Sequence, residues 1–99
     1  MPQYPYNEPV GLSYKHVVNA ATTTVKAGPG YLDRVVYNGG SSSATLTMYD
    51  NTAASGTIIG VVTLSASENN PAAVVYNATF TTGLVVVSTG TIDCTFIFR

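Results

Sequence analysis

The sequence predicts an all-β fold, a jelly-roll-like antiparallel β-sandwich with about seven or eight strands. Short runs rich in Thr and Val are separated by turn residues about every 8–12 positions. Several runs alternate apolar and polar side chains, as strands with one covered face do. No window has the spacing of an amphipathic helix. We therefore expect one β domain at residues 14–99, preceded by an extended arm at residues 1–13.

The N-terminal arm contains three of the five prolines of the chain and two of its tyrosines. Proline fixes its own φ and disfavours helix in the preceding residue, so the arm is expected to be extended. One interpretation is a disordered tail, and the other is an arm that lies on a neighbouring subunit. In the second interpretation, the residues expected to bind the partner are Tyr4, Pro5, Tyr6, Pro9 and Tyr14.

The first part of the domain contains short segments of β character. Residues 14–19 (YKHVVN) and 22–26 (TTTVK) are the first two, and a Gly-Pro-Gly break follows them. Residues 31–38 form the next strand, in which neither face is purely apolar. Because Asn38-Gly39 is a strong hairpin signal, we expect this strand to pair antiparallel with residues 44–49.

Residues 44–64 form the most clearly organised unit, a hairpin. Leu46 and Met48 alternate with polar neighbours, and the turn-rich segment 50–56 follows them. The second strand of the hairpin, residues 57–64 (TIIGVVTL), is apolar on both faces. That pattern predicts a strand in the middle of a sheet or beneath a neighbour.

Three further strands are expected after a proline-containing loop at residues 65–71. Residues 74–80 should point Val74, Tyr76, Ala78 and Phe80 inward. Residues 84–87 form a β-branched run between glycine-containing turns. Residues 92–98 should share one face among Ile92, Cys94, Phe96 and Phe98. Since few charges are available to protect the sheet edges, we expect a subunit contact to protect them.

The charge content is the most unusual feature of the composition. Charged residues make up 9% of the 99 residues, against about 25% in ordinary proteins. Such a surface suits a protein covered by other protein, although a neutral soluble domain would share it. A net charge of −1 with scattered basic residues gives no patch for nucleic acid. No apolar run predicts a membrane span, and residues 1–11 lack the basic and apolar regions of a signal peptide, so synthesis in a cytoplasm is expected.

The sequence contains no recognisable catalytic, cofactor or metal motif, and we expect no enzyme activity. His16 and Cys94 are the only residues of their kinds, so they cannot build a metal cluster or an intrachain disulfide. No nucleophile-elbow motif accompanies His16, which we expect to be an exposed strand residue, and Cys94 should be a buried hydrophobe. Asp50 and Asn51 could offer oxygens to calcium, but their spacing favours a role in the turn.

A resemblance adds to this interpretation. Its residues are 22–26 (TTTVK), 49–57 (YDNTAASGT), 80–84 (FTTGL) and 96–99 (FIFR). These segments resemble segments of the small structural proteins of tailed bacteriophages. The resemblance covers residues 22–99 and leaves the N-terminal arm out.

The resemblance implies a non-enzymatic virion protein, most closely a capsid decoration (cement) protein on the outer surface of the capsid. Such proteins are often trimeric and stabilise the shell by bridging subunits of the major capsid protein. The expected partners are therefore the major capsid protein and further copies of this chain, with a trimer favoured. The alternatives are a tail, head–tail or host-attachment fibre component, or a carbohydrate-binding β-sandwich. The absence of Trp counts against carbohydrate binding.

Overall fold

The computed structural model of the chain describes residues 12–40, 44–63 and 72–99. These residues form eight strands in two four-stranded antiparallel sheets, which confirms the predicted β-sandwich. The strands are β1 (Ser13–Val18), β2 (Ala21–Ala27), β3 (Gly30–Gly40), β4 (Thr45–Asp50), β5 (Thr57–Thr63), β6 (Ala72–Phe80), β7 (Gly83–Thr89) and β8 (Ile92–Phe98). None of the described segments is a helix that could span a membrane.

The strand order is that of a jelly roll. The first sheet has the order β1-β8-β3-β6, and the second has the order β2-β7-β4-β5. The chain crosses to the other sheet at every connection except the one between β4 and β5, which form a hairpin. Apart from β4 and β5, consecutive strands therefore cover opposite sides of one core, as in two interlocked Greek keys.

The core lies between the sheets, and the inward faces follow the predicted alternation. In β8 the side chains of Ile92, Cys94 and Phe96 are buried, and Phe98 packs partly buried against them. In β6, Phe80 is buried, and Val74 and Tyr76 pack against the core. The remaining large, fully buried side chains of the core are Leu32, Val35, Leu46, Met48, Leu84 and Val86.

A buried hydroxyl fixes the connection between β1 and β2. Ser88 is 3% exposed, and its Oγ accepts a hydrogen bond from the N–H of Ala21 at 3.1 Å. The same hydroxyl donates to the carbonyl oxygen of Asn19 at 2.6 Å. Asn19 has a φ of 63°, a left-handed conformation that Asn tolerates better than most residues. The turn is thus tied to β7.

The predicted pairing of residues 31–38 with residues 44–49 is wrong. β3 pairs with β6 and β8 in the first sheet, whereas β4 lies in the second sheet. Asn38-Gly39 does not form a hairpin turn, because β3 continues through it with a register shift against β8 between Tyr37 and Gly39. The Asn-Gly pair therefore forms a β-bulge, a second structure in which glycine is favoured.

The prediction of a central position for residues 57–64 is also wrong. β5 is the edge strand of the second sheet. A register shift between Met48 and Tyr49 leaves one extra residue in β5. As a result Ile59 and Val62 pack toward the core, while Ile58 and Val61 lie on the outer face, 51% and 56% exposed. Its second apolar face is therefore open among the described residues.

Candidate functional site

Of the five predicted partner-binding residues, the structure describes one, Tyr14. Tyr14 lies in β1 and is 74% exposed, as a residue that meets a partner must be before binding. Tyr4, Pro5, Tyr6 and Pro9 lie outside the described residues. β1 includes Ser13, which the prediction assigned to the arm.

Tyr14 belongs to a row of side chains that crosses the outer face of the first sheet. Tyr14 in β1 lies opposite Ile97 in β8. The row continues through Arg34 in β3 to Val75 in β6. Val75 is 56% exposed. Arg34 Nε donates to Asp33 Oδ2 at 2.6 Å, so its charge is met within the chain. Tyrosine and arginine are frequent at the centres of protein interfaces.

The same face carries a small polar cluster. His16 Nε2 lies 2.6 Å from Asp93 Oδ1, and Asn38 Nδ2 donates to the same oxygen at 3.0 Å. The hydrogen bond from the Asn38 amide lowers the pKa of Asp93 most, and the hydrogen bond with His16 contributes next. His16 is exposed in a strand, as predicted. Among the described residues, no three His, Cys, Asp or Glu side chains are close enough together to hold a metal ion.

The outer face of the second sheet differs sharply, because charged residues occur only at one end of its strands. Across β2, β7, β4 and β5, the charged residues are Lys26 and Asp50. The register gives three transverse rows of outward side chains. They are Thr24-Val85-Tyr49-Ile58, Thr22-Val87-Thr47-Val61 and Thr89-Thr45-Thr63. These residues are called the uncharged face below.

The uncharged face combines apolar surface with hydroxyl groups. Ile58 and Val61 are more than half exposed, at 51% and 56%, whereas Val85 is only 1% exposed among its neighbours. The hydroxyls of Thr45 and Thr89 lie 2.6 Å apart and bond to each other across the strands. A partner can cover such a face without removing water from a charged group, which is the most costly part of burying polar surface.

The carboxylate of Asp50 accepts hydrogen bonds from the turn between β6 and β7. Its Oδ1 accepts the backbone N–H groups of Thr82 at 2.8 Å, Thr81 at 3.0 Å and Gly83 at 3.3 Å. Its Oδ2 accepts the Thr81 N–H at 2.9 Å and the Thr81 hydroxyl at 3.2 Å. These hydrogen bonds lower the pKa of Asp50, and the largest contributions come from the N–H of Thr81 and then that of Thr82. The carboxylate thus joins the end of β4 to the turn between β6 and β7.

Asn51 completes the turn that was considered for calcium. Its Nδ2 donates to the carbonyl oxygen of Ser55 at 2.7 Å, and its Oδ1 accepts the N–H of Thr52 at 2.8 Å. The side-chain oxygens of Asp50 and Asn51 therefore bind groups of the chain itself. This confirms the prediction that the segment serves a turn.

Cys94 lies in the core, as predicted. The thiol is free and the residue is 0% exposed. Burial raises the pKa of Cys94 to about 12, so the reactive thiolate is scarce at neutral pH. Tyr37, its register partner in β3, has a buried hydroxyl without a hydrogen-bond partner in the described part of the chain. Burial also raises the pKa of Tyr37.

Comparison of the chain with protein-family models, with curated proteins and with solved structures finds no match. The resemblance to bacteriophage structural proteins therefore has no support from these comparisons. The arguments for function come from the fold and its surfaces.

Proposed function

We propose that this chain is a capsid decoration (cement) protein of a tailed bacteriophage. It binds the outer surface of the assembled shell and bridges subunits of the major capsid protein, without catalysing a reaction. The uncharged face is the observation that carries this proposal, together with the resemblance described above. The jelly roll is compatible with it, because viral capsid domains and lectins share that architecture, although a fold alone does not specify a function.

The uncharged face suits a stable contact with protein. Ile58 and Val61 supply exposed apolar area, and the threonine hydroxyls on β2 and β4 can meet polar groups of a partner. Ile58 and Val61 are the two members of the face that are large, apolar and more than half exposed, and neighbouring exposed apolar side chains are typical of binding surfaces. The face therefore serves as the main contact with the shell.

Bridging requires a second contact, and the opposite sheet offers one. Tyr14 lies on the outer face of the first sheet, in the strand that follows the N-terminal arm. In this proposal the arm, with Tyr4, Tyr6 and the prolines beside them, and Tyr14 bind a neighbouring subunit. The uncharged face and Tyr14 lie on opposite sides of the sandwich, so one copy can hold two shell subunits.

The stabilising effect follows from mass action. A protein that binds the assembled shell but not the free subunits shifts the equilibrium toward assembly. Many copies act on one shell, so each contact can be weak and the sum still large. Rigidity of the sandwich matters here, because a flexible bridge would not hold its two subunits at a fixed spacing.

The first experiment is mass spectrometry of purified particles from the phage that encodes the chain. A decoration protein must be present in a copy number comparable with that of the major capsid protein. Cryo-electron microscopy must then place its density on the outside of the shell with the symmetry of the shell. Absence from the particle refutes the proposal, and a few copies at one vertex would favour the tail or head–tail alternative.

The second experiment measures binding to shells stripped of this protein. Thr47→Lys puts a charge in the middle of the uncharged face and should weaken binding at least about tenfold. Ala54→Lys, at an exposed position in the loop between β4 and β5, is the matched control for an added exposed lysine. Deletion of residues 2–11 tests the arm, since β1 begins only at Ser13. Equal binding by Thr47→Lys and wild type would show that the face is not the contact.

A further inference from the structure

The four edge strands of the sandwich differ in how they resist pairing with another chain. β1 carries Lys15 and His16, and β2 carries Lys26 beside a bulge. β6 is interrupted where Asn77 adopts a φ of 49°. β5 has the sequence TIIGVVT, with neither charge nor proline. Charges, bulges and prolines usually protect an edge strand from pairing with another chain. Of these, β5 has only a bulge, and that bulge gives the strand a symmetric pattern of exposed and buried side chains.

The bulge makes the exposure pattern of β5 symmetric. Ile58 and Val61 point outward and are more than half exposed. Between them, Ile59 packs on the core, and Gly60 faces the core because a Cβ there would meet the Tyr76 side chain. The order is therefore outward, inward, inward, outward, with its midpoint at the peptide bond between residues 59 and 60.

We propose that β5 pairs antiparallel with β5 of a second copy of this chain, about a two-fold axis at that midpoint. Ile58 of one copy then lies opposite Val61 of the other, and Ile59 lies opposite Gly60. Outward residues meet outward residues and inward residues meet inward residues, which antiparallel pairing requires because a shift by one residue would reverse the faces. The pattern is self-complementary, as a two-fold contact must be.

The chemistry of the strand also selects a second copy as the partner. Two identical strands without charge do not repel each other, and the backbone N–H and C=O groups on the side of β5 away from β4, which pair with no other described strand, can bond across the axis. The two copies of the Ile58 and Val61 pair would form one apolar patch over the junction. The second sheets would join into a continuous eight-stranded sheet with an unbroken uncharged face. This inference does not depend on the proposed function.

Sedimentation velocity over a range of concentrations tests the dimer. An edge contact of this size belongs to the small interfaces, so we expect a dissociation constant of about micromolar order. The mass should rise from the 10.3 kDa of the chain toward twice that value. A monomer up to about millimolar concentration, or the trimer that the resemblance implies, would overturn the proposal.

Two lysine variants locate the contact. Val61→Lys should raise the dimer dissociation constant at least about 100-fold, because an ammonium group would face Ile58 of the other copy. Val75→Lys is the control, since Val75 has the same 56% exposure but lies in the other sheet, and it should change the constant less than about threefold. Equal effects of the two variants, or no effect of Val61→Lys, would contradict the proposal.

A cross-linking experiment tests the register independently of those variants. In the double variant Ile58→Cys/Val61→Cys, the cysteine at position 58 of each copy lies opposite the cysteine at position 61 of the other. The dimer therefore has two such pairs, each at a separation that suits a disulfide. On mild oxidation it should run as a covalent dimer on a non-reducing gel. Ile58→Cys alone should not, because its two copies would be about 10 Å apart along the strands. Equally fast cross-linking of the single variant would show that the register is wrong.

Discussion

Replacing Asp50 by alanine tests whether one carboxylate holds the turn between β6 and β7. The variant leaves the N–H groups of Thr81, Thr82 and Gly83 without their acceptor. A hydrogen bond to a charged group contributes about 1.5–3 kcal/mol. Water can reach this exposed turn and replace part of the loss, so we expect a destabilisation of about 1.5–2 kcal/mol for the whole set.

The effect should be visible in thermal unfolding. For a domain of this size each kcal/mol corresponds to about 4–8 °C, so Tm should fall by about 6–16 °C. The measurement is circular dichroism or calorimetry at a fixed protein concentration, because any association would make Tm depend on concentration. Thr82→Ala is the control: it alters the same turn but keeps the N–H group, and its Tm should change little.

The pH dependence gives a second, independent readout. The pKa of Asp50 is lowered in the folded chain, first by the Thr81 N–H. Its contribution to stability is therefore present above the unfolded pKa and disappears as the pH falls through the folded pKa. Wild type and Asp50→Asn should differ at neutral pH and converge below about pH 4. Parallel curves down to acid pH, or an unchanged Tm for Asp50→Ala, would refute the reasoning.

Three further outcomes are expected. Cys94, whose pKa burial raises to about 12, should react with a thiol reagent only after unfolding; rapid reaction of the native protein would contradict this. Gly30→Ala should cost about 1–3 kcal/mol in urea unfolding, because its Cβ would collide with the Arg99 carbonyl oxygen; an unchanged midpoint would show that this end of β3 can move. Asn38→Ala should raise the pKa of Asp93 in an NMR titration, and an unchanged value would assign the lowering to another group.

The strands and their inward faces could be predicted from the sequence because both depend on local alternation. Ile92, Cys94 and Phe96 in β8 repeat every second residue and are all buried. The same argument places Leu46 and Met48 in the core. An alternating strand in a sandwich has only one arrangement that buries its apolar residues, so the pattern determines the face.

The pairing of strands could not be predicted in the same way. Asn38-Gly39 satisfies the local requirements of both a hairpin and a bulge, and only the neighbouring β8 decides between them. The run 57–64 is apolar on both faces, which is compatible with a central strand and with an edge strand that has an open surface. Asp50 meets Thr81 from 31 residues away, and no short pattern relates them.

The scarcity of charge on the candidate surface follows from the composition, but the place of that surface in the fold does not. That the surface contacts other protein stays a prediction. Thr47 and Val61 belong to the predicted hairpin of β4 and β5, but Thr22 comes from β2, which no local pattern relates to that hairpin. They share a face only because β2, β4 and β5 lie in one sheet, and sheet membership is a property of the whole fold.

The position of β8 between β1 and β3 has a consequence for biosynthesis. β1 is the first of the described strands along the chain, and its partner among them is β8, the last. Both neighbours of β8 precede it in the chain, so the first sheet cannot close until Ile92–Phe98 has been synthesised. Until then the apolar side chains of β3 that will meet Cys94 and Phe96 remain open to other nascent chains. A stop codon placed before Ile92 would therefore yield an aggregating chain, not a shorter sandwich.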